Sequence, residues 1–155
     1  MKFKDAAHKE SYLKFIKKAE VHPGDVERKS LFYLLALDVN TRKNINSLYD
    51  FGPGENHIKP KAINEAWQTD GSCACTKLAF NLYNSFDGVE DDEASSYSVI
   101  NIFAYTDGKV NKEVFFEAIR IRFEMINSNC SEDDTFFERE ETAEETLKRM
   151  GFKEV

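Results

Sequence analysis

No apolar run in this chain is long enough to cross a bilayer. The longest lies around Leu31 to Leu37, in SLFYLLAL, and falls well short of the ~20 residues a spanning helix needs. The first ten residues, MKFKDAAHKE, lack the apolar core of a signal peptide. The expectation is a cytoplasmic protein with no membrane partner. Cysteine is scarce too: Cys73 and Cys75 stand two apart and Cys130 is distant. A structural zinc site takes four ligands, usually in two close pairs. The three histidines, His8, His22 and His57, supply no such pairing. Reduced thiols, no metal and no cofactor are therefore expected.

Catalytic signatures are missing as well. The chain has no G-x-S-x-G, H-E-x-x-H, Walker loop or G-x-G-x-x-G. Gly52-Pro53-Gly54 lacks the Lys-Ser/Thr that a phosphate loop requires. Cys73 or Cys75 could be paired with His57, but nothing selects that pairing, and a helical cysteine behaves as a small hydrophobe. Asp91 with Asp92, or Asp133 with Asp134, lacks the distinct shielded environments that split the pKa values of catalytic acids. The sequence predicts no enzyme.

Basic clusters of the kind that grip phosphate are also lacking. Net charge is −7. Residues 87–93 (DGVEDDE) carry −5, residues 131–155 carry another −5, and the rest sum to +3. Direct DNA binding is not expected from such a distribution. The acidic stretches are either solvated segments or a surface for a basic partner, such as a nucleic-acid-binding protein.

What is present fits one helical domain. At 155 residues the chain can bury a real core, and 41% of it is hydrophobic, with 13 Phe against a single Trp. Asp5 can cap a helix to about Val21, with Tyr12, Leu13, Phe15, Ile16 and Ala19 as its apolar stripe. Asp25 can cap a second from Val26 to Leu37, the central buried element. A third starts at Asp38 or Asn40 and runs through Leu48. Pro60 suits the first turn of a short helix from Lys61 to Trp67. Ser72 can cap a fifth, to Phe86. Residues 96–105 read either as a short helix or as an extended piece. A sixth helix spans about Asn111 to Met125, burying Val114, Phe115, Ala118, Ile119 and Phe123. Residues 140–150 read as a charged amphipathic helix. The fold class is mainly α, a compact bundle of about six helices over residues 1–126, with an acidic C-terminal extension over residues 127–155.

Two candidate surfaces emerge. The first surrounds Trp67. Gln68, Thr69, Lys77, Asn81, Asn84 and Arg120 would join it in a pocket that stacks and orients a nucleotide or another small molecule; the alternative is a core tryptophan whose polar neighbours cap helices. The second is acidic: Glu90, Asp91, Asp92 and Glu93 in the loop, and Glu132, Asp133, Asp134, Phe136 and Phe137 in the extension, would meet a protein partner.

Three stretches carry a resemblance, in this order: DVERKSLFYLLALDVNTRKNINSLYDF, IKPKAINEAWQTDGSCACTKLAFNLYNSF and FFEAIRIRF. Over about His8 to Phe123 the chain resembles an uncharacterised domain family of small proteins from Gram-positive bacteria, their phages and mobile elements. IKP, AWQT and LAFNLYN match most strongly, and the acidic loop and residues 126–155 fall outside the pattern. The resemblance transfers no activity and no catalytic residue. It implies a bacterial host cytoplasm, and a genomic setting in which small acidic proteins often counter host defence. The functional expectation is a non-enzymatic phage or mobile-element protein that inhibits a bacterial protein by contact through acidic surfaces. A small-molecule or nucleotide-signal sponge built on Trp67 is the alternative, and an unrecognised enzyme comes last.

Overall fold

The computed structural model describes residues 1–52, 54, 56–88, 97–106 and 108–124. Helix α1 (Ala6–Lys18) begins at Asp5, whose carboxylate accepts from the His8 amide at 2.7 Å. Its buried residues His8, Tyr12, Phe15 and Ala19 recur at three- and four-residue steps, forming one narrow stripe. Leu13 falls outside it and is 53% exposed. It was expected in the core, but it sits about 100° round the helix from Tyr12, beyond the face that α2 covers.

Helix α2 (Val26–Leu35), capped by Asp25, is the central element and packs against α1, α5 and α7. Every residue from Ser30 to Leu35 is buried, which is why its apolar run is continuous rather than periodic. It stops two residues before the expected Leu37. Arg42 donates to the carbonyls of Ala36 and Leu37, at 2.9 Å each, and Asp38 turns the chain into α3 (Val39–Lys43). The expected third helix is thus broken at Asn44, after which α4 (Ile45–Leu48) follows.

The 50–57 loop closes where Tyr49 and Ile58 form an isolated antiparallel bridge. A 3-10 helix (Pro60–Asn64) ends before Trp67, shorter than expected. Helix α5 (Asp70–Asn84) packs on α2, α6 and α7. Its cap is Thr69 rather than Ser72: Ser72 occupies the third helical position and completes a reciprocal capping box. Helix α5 ends at Ser85, a left-handed residue with φ 63°. Glycine pays no steric penalty there, so Ser85→Gly is expected to stabilise the fold by about 0.5–1 kcal/mol, measured by urea denaturation.

Within residues 97–105 the structure is helical rather than extended: α6 spans Val99–Ala104. Helix α7 (Gly108–Arg122) closes the core with Val114, Phe115, Ala118 and Ile121. Phe123, expected inside, is 62% exposed because it follows the last helical residue. The described residues make a mainly α domain of seven α-helices with no strand beyond isolated bridges. No helix among them is long and apolar enough to cross a membrane. The expected helix over residues 140–150, and the extension as a whole, lie outside the described residues.

Candidate functional site

The polar residues around Trp67 are held by one another and by backbone. Trp67 is half-buried at the edge of the core, and its indole N–H donates to the Glu65 carboxylate. The Gln68 side chain donates to the Ala62 carbonyl at 3.2 Å and to the Thr76 hydroxyl at 3.3 Å, and accepts from the Ser72 hydroxyl at 2.7 Å. Thr69 Oγ1 accepts from the Ser72 amide at 3.2 Å. This is a satisfied network that fixes the entry of α5. Further along α5, Lys77 lies 5.5 Å from the centre of the Tyr97 ring. Asn81 donates to the Phe86 carbonyl at 3.3 Å, and Asn84 is exposed in the last turn. Fifteen helical residues span about 22 Å, so Asn84 cannot share a small pocket with Thr69. Arg120 pairs with Glu117 at 3.3 Å, one turn back on α7, and Glu117 is only 5% exposed. Arg122 is the arginine that ties elements together: it donates to the Leu82 carbonyl of α5 at 2.7 Å and to Glu27 of α2 at 3.0 Å.

Two clefts instead flank the first turns of α5. One, of about 350 Å³, is lined by Lys4, Leu37, Asp38, Thr69, Asp70, Gly71, Cys75, Thr106 and Asn111. The other, of about 300 Å³, is lined by Asp70, Cys73, Ala74, Lys77, Asn101, Ile102 and Tyr105. Of the residues expected around Trp67, Thr69 faces the first cleft and Lys77 the second. Lys4, Asp38, Asp70, Thr106 and Asn111 were missed as site residues. Asp38 reads in the sequence as a helix cap and Asp70 as a turn residue, and no spacing pattern links them to Lys4 or Asn111. The Cys75 thiol in the first cleft is buried, and burial pushes its pKa well up, so it stays protonated and is a weak nucleophile. Among the described residues no three His, Cys, Asp or Glu gather where they could hold a metal ion.

Residues 1–135 match DUF6075, a family of unknown function. The chain belongs to that family. The match is wider than the expected His8 to Phe123: it crosses the acidic loop and reaches residue 135. No curated protein and no solved structure matches the chain.

The DUF6075 domain also carries an uncovered apolar face. Val99 is 69% exposed, Ile100 81%, Phe116 46% and Phe123 62%. Phe103 lies one helical turn from Val99 and Ile100, and its ring centre is 5.3 Å from that of Phe116. The exposed side of α6 is thereby joined to that of α7. Phe123 follows Phe116 by seven residues, two turns along the same side. The acidic candidates Glu90, Asp91, Asp92, Glu93, Glu132, Asp133 and Asp134, with Phe136 and Phe137, lie outside the described residues.

Proposed function

We propose that this chain is a binding protein that acts on a bacterial protein by direct contact, without turnover of its own. The observation that carries this reading is the α6–α7 face of Val99, Ile100, Phe103, Phe116 and Phe123. Isolated exposed apolar residues are ordinary, but a joined aromatic and aliphatic set is a feature of interaction surfaces. Its place in the chain adds chemistry. The acidic residues 87–93 shortly precede α6, and the acidic residues 131–155 follow soon after α7. An apolar centre with acidic flanks suits a partner that presents an apolar patch rimmed by Lys and Arg, as nucleic-acid-binding proteins do. Residence in a phage or mobile element, and inhibition of a defence protein, are the biological form this proposal takes.

The test is a pair of charge-introducing substitutions on the face. Ile100→Asp leaves stability within about 0.5 kcal/mol, because the side chain is exposed, while Phe116→Asp gives up the ring contact with Phe103 at a cost of about 1 kcal/mol, so the thermal midpoint of the double variant is measured beside its affinity. Partner affinity is expected to fall at least about tenfold. Neutralising Glu90, Asp91, Asp92, Glu93, Glu132, Asp133 and Asp134 should flatten the salt dependence of binding. Titration of the purified partner by calorimetry reads both. Unchanged affinity in the double variant rejects the face; unchanged salt dependence rejects the acidic contribution.

A further inference from the structure

Residues 2–4 are fastened to the core by buried side chains from three helices. Phe3 is only 7% exposed. Its ring centre lies 5.2 Å from that of His8, 5.5 Å from Tyr12 and 5.5 Å from Tyr33, so it sits in a box of rings from α1 and α2. The backbone on either side of it is held as well. The Lys2 amide donates to Glu117 Oε1 of α7 at 3.0 Å, and the Lys2 carbonyl accepts from the Tyr33 hydroxyl. The Lys4 amide donates to Nδ1 of His8 at 3.1 Å. His8 and Tyr33 are fully buried, and Glu117 nearly so. Helices α1 and α7 both pack on α2, and residues 2–4 add a direct tie between them.

One of these fastenings depends on a proton. An amide N–H can only donate, so Nδ1 of His8 must offer its lone pair to Lys4. The Tyr33 carbonyl can only accept, so Nε2, at 2.7 Å, must carry the ring's proton. The geometry thus fixes one neutral tautomer. A proton on Nδ1 would face the Lys4 N–H and break that bond. With residues 2–4 lifted away, Nδ1 meets water and takes a proton while Nε2 keeps its bond to Tyr33. Of the charged groups around the imidazole, Asp5 favours that proton, and Arg42 and Lys4 oppose it. Tyr12 and Tyr33 stay neutral, since burial raises both hydroxyls. Glu117 is engaged by the Lys2 amide, by Arg120 at 3.3 Å and by the Met1 amine at 3.7 Å.

We infer that residues 2–4 form an acid-released strap: protonation of His8 unfastens the segment while the helices stay packed, and uncovers the aromatic box of His8, Tyr12 and Tyr33. The Asp5 cap of α1 and the bonds within α1 and α2 do not pass through residues 2–4, so they outlast its release. Burial holds the fastened imidazole at about 4, against 6.5 for one that meets water. The open strap therefore binds the proton and the closed one resists it. Between pH 7 and pH 5 the ratio of open to closed rises about twentyfold, and it levels off below pH 4. The strap is independent of the α6–α7 contact face, none of whose residues it uses.

Amide hydrogen exchange of the full chain, read residue by residue by NMR from pH 7 to pH 5 and corrected for the intrinsic rate, is the test. The Lys4 amide reports the strap, and the amides of Phe32 to Leu35 in α2 report global opening. Lys4 is expected to be less protected than α2 at every pH and to lose about twentyfold of its protection over this range. Its exchange should be unchanged by about 1 M urea, because a local opening exposes little surface, whereas α2 exchange should quicken. His8→Gln, whose side-chain amide can make both bonds and does not titrate, should keep Lys4 protection level across the range. Lys4 exchange that shares the urea dependence of α2 overturns the inference, whether or not the variant folds. Lys4 protection that does not change with pH, or that changes equally in folded His8→Gln, does so too.

Discussion

Acidification from pH 7 to pH 4 is expected to remove about 3 kcal/mol of stability through His8 alone. The imidazole is fully buried between α1 and α2. Its Nδ1 accepts from the Lys4 amide at 3.1 Å, and its Nε2 donates to the Tyr33 carbonyl at 2.7 Å. Both ring nitrogens are satisfied only in the neutral form. A second proton would sit on Nδ1, facing an N–H. Burial is the largest cause that lowers the His8 pKa from 6.5 to about 4. The folded state therefore resists a proton that the unfolded chain takes up near pH 6.5. Stability falls as pH drops through that value and levels off once pH passes below about 4, where both states are protonated. Urea denaturation across this range should show a slope of close to one proton from His8, absent in His8→Gln. Equal slopes in the two proteins would refute the assignment.

Phe32→Ala is expected to cost about 3–5 kcal/mol, a large share of the about 5–15 kcal/mol that holds an ordinary domain together. Phe32 is fully buried in α2. Its ring centre lies 4.9 Å from Tyr49, 5.7 Å from Phe51 and 6.1 Å from Phe15, so truncation opens a cavity between α1, α2 and the start of the 50–57 loop. Leu13→Ala on the exposed side of α1 should cost under about 0.5 kcal/mol. The denaturation midpoints of the two variants give the comparison directly. A loss at Leu13 as large as that at Phe32 would mean that the core is placed wrongly.

That contrast shows what a sequence reveals and what it hides. The caps Asp5 and Asp25 were legible because a carboxylate beside an apolar-periodic run has a local job. The buried α2 was legible because only a helix covered on several sides can stay apolar at every position. Leu13 and Phe123 were misplaced for the same reason as each other: periodicity gives the direction of a face, while its width and its end depend on neighbours far away in sequence. Ser72 reads as a cap of α5, and Thr69 as a cap only if Trp67 lies in the core, since both residues can serve and only the reciprocal geometry chooses. The Trp67 surroundings read either as a pocket or as a core tryptophan with helix-capping neighbours, because Gln68, Thr69 and Asn81 are polar near apolar residues. Their partners, the Ala62 and Phe86 carbonyls among them, are backbone atoms that no composition shows. The cleft of Lys4, Asp38, Asp70 and Asn111 joins residues more than a hundred positions apart, and nothing local announces it.

Site-specific photocrosslinking in the native host cell reads the proposed contact surface on α6 and α7 position by position. A benzophenone side chain would replace Ile100, Phe116 or Phe123 in turn, with Leu13 on α1 and Val39 on α3, each at least as exposed as Phe116, as apolar comparisons. One discrete adduct is expected from all three α6–α7 positions, to a protein with a basic surface, and no such adduct from Leu13 or Val39. Adducts of the same partner from Leu13 or Val39, or none from Ile100, Phe116 and Phe123, would contradict it.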